Sequence, residues 1–225
     1  MVCDATELTA EPGGLVYQGR RVQAVSEQTF EPTAGSVARA LLGGAVDVYN
    51  GPATDVLFDK RNLALLSERQ GSDLFDREER AFIAAHVPWT REVSDADTTW
   101  EGERARLSDV LSEFRERLVL KPAIGTQGRG VQIGRRLSAQ AWEEVVAAAL
   151  SSTDPWVVQE HVESLPYLYL DRARGCCEHD VVWGLYAFGS SYGGSFLRLM
   201  SKAGGSGVVN SAQGATEGLI MEVEA

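Results

Sequence analysis

The stretch Leu118-Val119-Leu120-Lys121-Pro122-Ala123-Ile124-Gly125-Thr126-Gln127-Gly128-Arg129-Gly130-Val131-Gln132-Ile133-Gly134 decides how this chain is read. Its apolar flanks predict two strands, over 117–123 and 130–134, joined by a Gly-rich turn over 124–129. Glycine at 125, 128 and 130 lets backbone N–H groups turn toward an anion with no Cβ in the way. Lys121 ends the first strand, where its ammonium can reach the same anion. The spacing is not that of a Walker A loop, which needs Gly-x-x-x-x-Gly-Lys-Ser/Thr running into a helix. A plain Gly-rich β-hairpin with an exposed lysine fits the spacing equally well.

Working outward from this hairpin, residues 139–150 have helical spacing, with Trp142, Val145, Val146 and Ala149 on one side. Asp154-Pro155 breaks that helix, and 156–161 reads as a buried strand. Further strands are expected over 180–188, over 195–200 and near Val208-Val209, beyond a Gly-rich loop. On the N-terminal side, 107–117 has helical spacing at Leu107, Val110, Leu111 and Phe114. Val87-Pro88-Trp89-Thr90 is extended, because Pro88 disfavours helix at Val87. An exposed helix over 73–85 is expected to turn Phe75 and Phe82 inward. Asp59-Lys60 opens another, with Phe58, Leu63, Leu65 and Leu66 as its apolar face. In residues 1–57, a turn at Pro12-Gly13-Gly14 precedes a strand over 15–17. A helix over 36–42 ends at Gly43-Gly44, and a strand over 45–49 runs into the turn Asn50-Gly51-Pro52. Mixed strands and helices with several hairpins predict an α+β fold rather than a doubly wound sheet. Strands concentrate toward the C-terminal half, so two lobes with a hinge near 159–163 are expected.

Composition narrows the function. Acidic residues outnumber basic ones by 32 to 21, a net charge of −11, and no basic stripe is present, so a nucleic-acid partner is not expected. An acidic chain that holds a polyphosphate must build a local positive pocket against its own average charge. Cys3, Cys176 and Cys177, an odd set with two adjacent members, do not form a disulfide framework and suggest a reducing compartment. The N-terminus lacks the basic start and apolar run of a signal peptide, and no stretch reaches the roughly 18 apolar residues of a membrane span. A soluble, cytoplasmic protein without a membrane partner is expected. Cys176-Cys177-Glu178-His179 invites a zinc reading, but adjacent cysteines are poor co-ligands of one tetrahedral ion and no second pair exists. His86 and His161 read as structural, and Trp89, Trp142, Trp156 and Trp183 as packing residues.

Lys121-Pro122 and the Gly-rich hairpin after it resemble the ATP-grasp superfamily, and other segments agree in order. Asp59-Lys60 before Leu63–Leu66 resembles that family's first ATP lysine at a helix start, and Val87-Pro88-Trp89-Thr90 its "VPxT" strand. Val157-Val158-Gln159-Glu160-His161-Val162 is similar to the hinge strand whose backbone holds the adenine. The pattern covers roughly residues 45–215. The stretch from Tyr49-Asn50-Gly51-Pro52 through Lys60 to Leu66 is also similar to glutathionylspermidine-synthase-like ligases. The resemblance implies domains over 58–158 and 159–225, after an N-terminal remnant over 1–57.

It also implies roles. Lys60 and Lys121 would hold the phosphates, under a loop running from Gly125 through Gln127 and Gly128 to Gly130. Gln159, Glu160 and Val162 would meet the adenine, and Glu163 the ribose. Arg198 would act as the catalytic, oxyanion-stabilising residue, and Asp180 and Asn210 would bind Mg²⁺. The implied activity is an ATP-dependent carboxylate–amine ligation through an acyl-phosphate, on small-molecule acid and amine substrates. The chain departs from the family's pattern at Val208, an apolar residue where a metal-binding Glu is usual, and in its short N-terminal region. The rival readings are an ATP-binding module without ligase activity and a phosphotransferase. The short N-terminal region also suggests a homo-oligomer, or a missing N-terminal domain.

Overall fold

The computed structural model describes residues 2–27, 34–51, 54–171, 175–203, 205, 207–221 and 223. Pro52, part of the expected turn after the strand over 45–49, lies outside them, as do Gly204 and Ser206 of the Gly-rich loop. The architecture mixes helices with sheets that are mostly antiparallel, as the α+β expectation requires. It divides into two compact units, Met1–Asp59 and Lys60–Ala225.

In the first unit, Thr9–Glu11, Gly14–Tyr17 and Arg20–Val22 form an antiparallel three-stranded sheet, and Ala24–Ser26 pairs in parallel with Asp47–Tyr49. The helix Gly35–Leu42 ends as its two glycines predict. Gly44 adopts a φ of +65°, its N–H reaches Leu41 O at 2.9 Å, and Ala45 N–H reaches Ala40 O at 2.9 Å. This is the Schellman arrangement that satisfies otherwise unpaired carbonyls. Leu8, Leu15, Val37, Ala40 and Val46 make the unit's core.

The second unit contains two four-stranded antiparallel sheets. The central one runs Gln132–Ile133, Leu118–Pro122, Trp156–Glu160, Thr90–Glu92, and the C-terminal one Tyr167–Asp171, Gly175–Phe188, Ser191–Ser201, Thr216–Gly218. Strand alternation turns Leu118 and Leu120 to one face, where they are fully buried with Leu107, Val110, Leu111, Trp142 and Val158. The helices Leu107–Glu113 and Ala139–Ser151 supply that core, and Trp142 Nε1–H donates to Leu111 O at 2.8 Å. The opposite face of the same strands carries Val119 and Lys121, and the neighbouring strands add Gln159 and Thr90 to it.

Several expectations fail. The helix Arg61–Arg69 buries Ala64 and Ser67 while Leu65 is half exposed, because the helix packs closely on Thr90–Glu92 and only small side chains fit there. In the helix Arg77–His86, Ile83 faces inward. Phe82 is 61% exposed and stacks on His86, a local i to i+4 contact that needs no core. Val208-Val209 is not a strand; the edge strand that pairs with Ser191–Ser201 is Thr216–Gly218. Only Gln132–Ile133 of the expected strand over 130–134 pairs with Leu118–Pro122.

Candidate functional site

Lys121 stands near the end of its strand on the face away from the core, and Lys60 caps the start of the helix Arg61–Arg69. Lys60 N–H donates to Ala123 O at 2.9 Å, which ties the helix start to the end of the lysine strand. The Lys60 ammonium donates to Gly125 O at 2.9 Å and Ala123 O at 3.4 Å, at the entrance of the Gly-rich loop. Lys121 Nζ donates to Gln159 Oε1 at 2.5 Å. Burial lowers the Lys121 pKa from its ordinary value, and the neighbouring Lys60 charge lowers it further. Two cations from segments 61 residues apart in sequence (121 − 60) are therefore electrostatically coupled at the root of the loop.

The loop is tightly turned. Gln127, Gly128 and Gly130 have φ of +58°, +68° and +71°. Glycine at 128 is required by space as well as by φ: an added Cβ would lie 2.4 Å from Val208 Cγ1. Gln213 Nε2 also donates to Gln127 O at 3.2 Å, so the loop rests on the segment from Val208 to Gln213.

Beside the strand exit at His161 lies a cavity of about 370 Å³. It is lined by Arg135, Arg136, His161 and Glu163 on one side and by Asp180, Val182 and Lys202 on the other. Its volume falls within the range typical of small-molecule sites. Arg135 bonds both the Glu163 carboxylate and His161 Nδ1. A guanidinium donates only, so that imidazole nitrogen accepts and the ring is neutral. Burial lowers the His161 pKa first, followed by Arg135; Lys121 and Arg136 act in the same direction, while Glu163 opposes them. Glu163 is held below the usual carboxylate range by its hydrogen bond from Arg135. A chain of net charge −11 thus gathers Arg135, Arg136 and Lys202 around one cavity that Glu163 and Asp180 also line, and the Lys121 charge is felt at its His161.

The remaining expected site residues fall as follows. Glu160 pairs with Arg117 at 2.8 Å. Glu160 N–H donates to Trp89 O and His161 N–H to Arg117 O, while Val162 is 66% exposed beside the cavity. Arg198 is the cross-strand partner of Val182, which lines the cavity, so both occupy one face of the C-terminal sheet. Its guanidinium lies 4.6 Å from the Phe196 ring centroid, and its buried Nε has no hydrogen-bond partner among the described residues. Asp180 takes a hydrogen bond from Ser164 at 3.2 Å and faces Lys202 at 3.5 Å. Asn210 Oδ1 caps a short 3-10 turn by accepting from Ala212 N–H at 2.9 Å.

This donor set does not fit a bound Mg²⁺. Asp180 is paired with a lysine, Asn210 is occupied as a cap, and Val208 offers no side-chain oxygen. Among the described residues, no three His, Cys, Asp or Glu side chains cluster as metal ligands. Among the described residues, no helix is long and apolar enough to cross a membrane.

Sequence reading missed Arg135, Arg136, Lys202, Thr90 as a side chain, and Ser67. Arg135-Arg136 directly after the hairpin was the one available signal, since paired arginines there have no partner in sequence. No family model matches the chain, and no curated protein matches it. Among solved structures it is similar to an ATP-grasp ligase, PsnB, solved in complex with a minimal precursor. Identity is 15% and the TM-score 0.37, over 86% of this chain and 63% of that one. The chain therefore spans less than two thirds of that structure's length, and at this level of similarity the functional reading rests on the site itself.

Proposed function

We propose that the unit Lys60–Ala225 binds ATP in an ATP-grasp-like, two-lobed arrangement, and uses it to join a carboxylate to an amine. The observation that carries this reading is the convergence of Lys60, Lys121 and the Gly125–Gly130 turn, with the Lys121 charge felt at His161 of a cavity where Arg135, Arg136 and Lys202 outnumber Glu163 and Asp180. The lobes correspond to the two sheets, with the hinge where Trp156–Glu160 leads out toward the C-terminal sheet. The two lysines hold the phosphates. The base enters the cavity at His161–Glu163. Because the N–H groups of Glu160 and His161 are already paired, Val162 and the groups beyond it meet the adenine edge, and Glu163 the ribose.

In the ligation, a carboxylate oxygen attacks the γ-phosphorus and the bond to ADP breaks. The amine then attacks the acyl carbon, phosphate leaves, and the amine's proton passes to water. Arg198, with an unpartnered N–H on the cavity's face, stabilises the oxyanion that forms in the second step. No step is assigned to Mg²⁺, because the donors do not fit it. Val208 and the pairing of Asp180 with Lys202 favour one rival, an ATP-binding module that performs no ligation.

Calorimetric titration of ATP, with and without Mg²⁺, tests binding. ATP turnover with a panel of carboxylates and amines tests the chemistry. Turnover that needs both substrates supports the ligase, binding without turnover supports the module, and turnover needing one acceptor would make the chain a phosphotransferase. The absence of ATP binding by the folded chain would sink the reading.

A further inference from the structure

Gln159 is 9% exposed, on the strand between the one bearing Lys121 and the one bearing Thr90. Its Oε1 accepts from Lys121 Nζ at 2.5 Å, and its Nε2 donates to Thr90 Oγ1 at 2.9 Å. The Thr90 hydroxyl gives its single proton to Pro88 O at 2.8 Å, so toward Gln159 it has only lone pairs to offer. This fixes which way the amide points: nitrogen to Thr90, oxygen to Lys121. Thr90 is in turn anchored, its N–H donating to Ser67 Oγ at 3.0 Å, and Ser67 Oγ also accepts from Arg91 Nη1 at 2.9 Å. Ser67 lies on the helix that Lys60 caps, so one buried polar chain runs from the Lys60 helix through Ser67, Thr90 and Gln159 to Lys121. The charged and titratable groups facing Lys121 are Lys60 and His161; among the described residues no carboxylate lies within 4.0 Å of its ammonium.

We propose that Gln159 is a positioning residue for an anionic polyphosphate ligand: its carboxamide, oriented by Thr90, fixes the Lys121 ammonium and, being neutral, leaves that charge to the ligand. A carboxylate at 159 would hold the ammonium equally well but cancel its charge. An apolar side chain would leave the ammonium without its acceptor. The proposal rests on the reading of Lys121 as a phosphate-holding lysine, and its test separates the two.

The first measurement needs no ligand. Lys121 in the full chain is labelled with an amine-reactive reagent across pH and read by peptide mass spectrometry. Gln159→Glu moves the labelling midpoint up by about one pH unit or more, because a carboxylate stabilises the ammonium. An unchanged midpoint in a folded variant overturns the link between Gln159 and Lys121. The second measurement titrates inorganic tripolyphosphate and ATP. Gln159→Glu weakens both by about tenfold or more, the loss expected for one charge-assisted contact. Thr90→Val, which removes the acceptor that orients the amide, weakens both by a smaller factor, and Thr90→Ser restores wild-type affinity. Wild-type affinity in Gln159→Glu, or equal losses in Thr90→Val and Thr90→Ser, overturns the positioning role. If the wild-type chain binds neither polyphosphate while the labelling midpoint still moves, the ligand assignment fails and the Gln159–Lys121 link stands.

Discussion

Lys121→Met keeps most of the side chain's length and apolar contact and removes the ammonium, so its consequences separate into a ligand effect and a stability effect. The ligand effect is a lost charge-assisted contact of about 1.5–3 kcal/mol, equivalent to a roughly 10- to 150-fold weaker ATP affinity. The stability effect depends on pH. In the folded chain the Lys121 pKa is lowered by burial and by Lys60, while in the unfolded chain it returns to about 10.5. Between the lowered value and 10.5 the unfolded state holds more protons than the folded one, so the wild-type chain gains stability as pH rises through that window. Below the window both states carry the charge, and the cost of burying it is constant. Lys121→Met has no such group, so the wild type's advantage over it grows with pH across the window, while wild-type ATP affinity falls as the ammonium is lost. Urea denaturation of both proteins over neutral to alkaline pH, paired with ATP titration, reads the two effects. Parallel stability curves would refute the placement of a buried, coupled Lys121. An ATP affinity unchanged by the substitution would remove this lysine from the site.

Three further perturbations address the scaffold and the metal question. Gly128→Ala places a Cβ 2.4 Å from Val208 Cγ1, so it loosens the loop, read as faster proteolytic cleavage near 125–130; adding Val208→Ala relieves the clash and leaves only the left-handed φ penalty of about 1–2 kcal/mol. If the double variant is cleaved as fast as the single, the loop does not rest on Val208. Trp142→Ala removes a fully buried ring and its bond to Leu111 O, costing about 3–5 kcal/mol in chemical denaturation; a cost under about 1 kcal/mol would contradict the placement of the core. Asn210→Ala loses a turn cap, at about 1 kcal/mol or less, and leaves the Mg²⁺ dependence of ATP binding unchanged. A loss of affinity seen only with Mg²⁺ would restore Asn210 as a metal ligand.

Local chemistry made much of the framework readable. Gly43-Gly44 stops its helix because only a residue tolerant of positive φ completes that cap. Pro88 keeps Val87 extended at φ −101° and ψ 109°, and Leu107, Val110 and Leu111 mark a buried helical face by spacing alone. The errors came where a neighbour distant in sequence decides. Leu65 and Phe82 look like core residues until close packing on Thr90–Glu92 selects Ala64 and Ser67, and Phe82 finds His86. Val208-Val209 has strand composition but meets the Gly-rich loop instead of a sheet.

What the sequence determined by itself is the set of elements and the presence of Lys60 and Lys121 at element ends, because capping, glycine conformation and alternation act within a few residues. Tertiary structure decided which groups meet. Strand register brings Gln159 Oε1 to Lys121 across 38 residues, and the Lys60 helix lands on carbonyls 63 and 65 residues away. It also pairs Asp180 with Lys202, 22 residues further along (202 − 180). Such pairings depend on register and packing between distant segments, and no periodicity or local spacing encodes them.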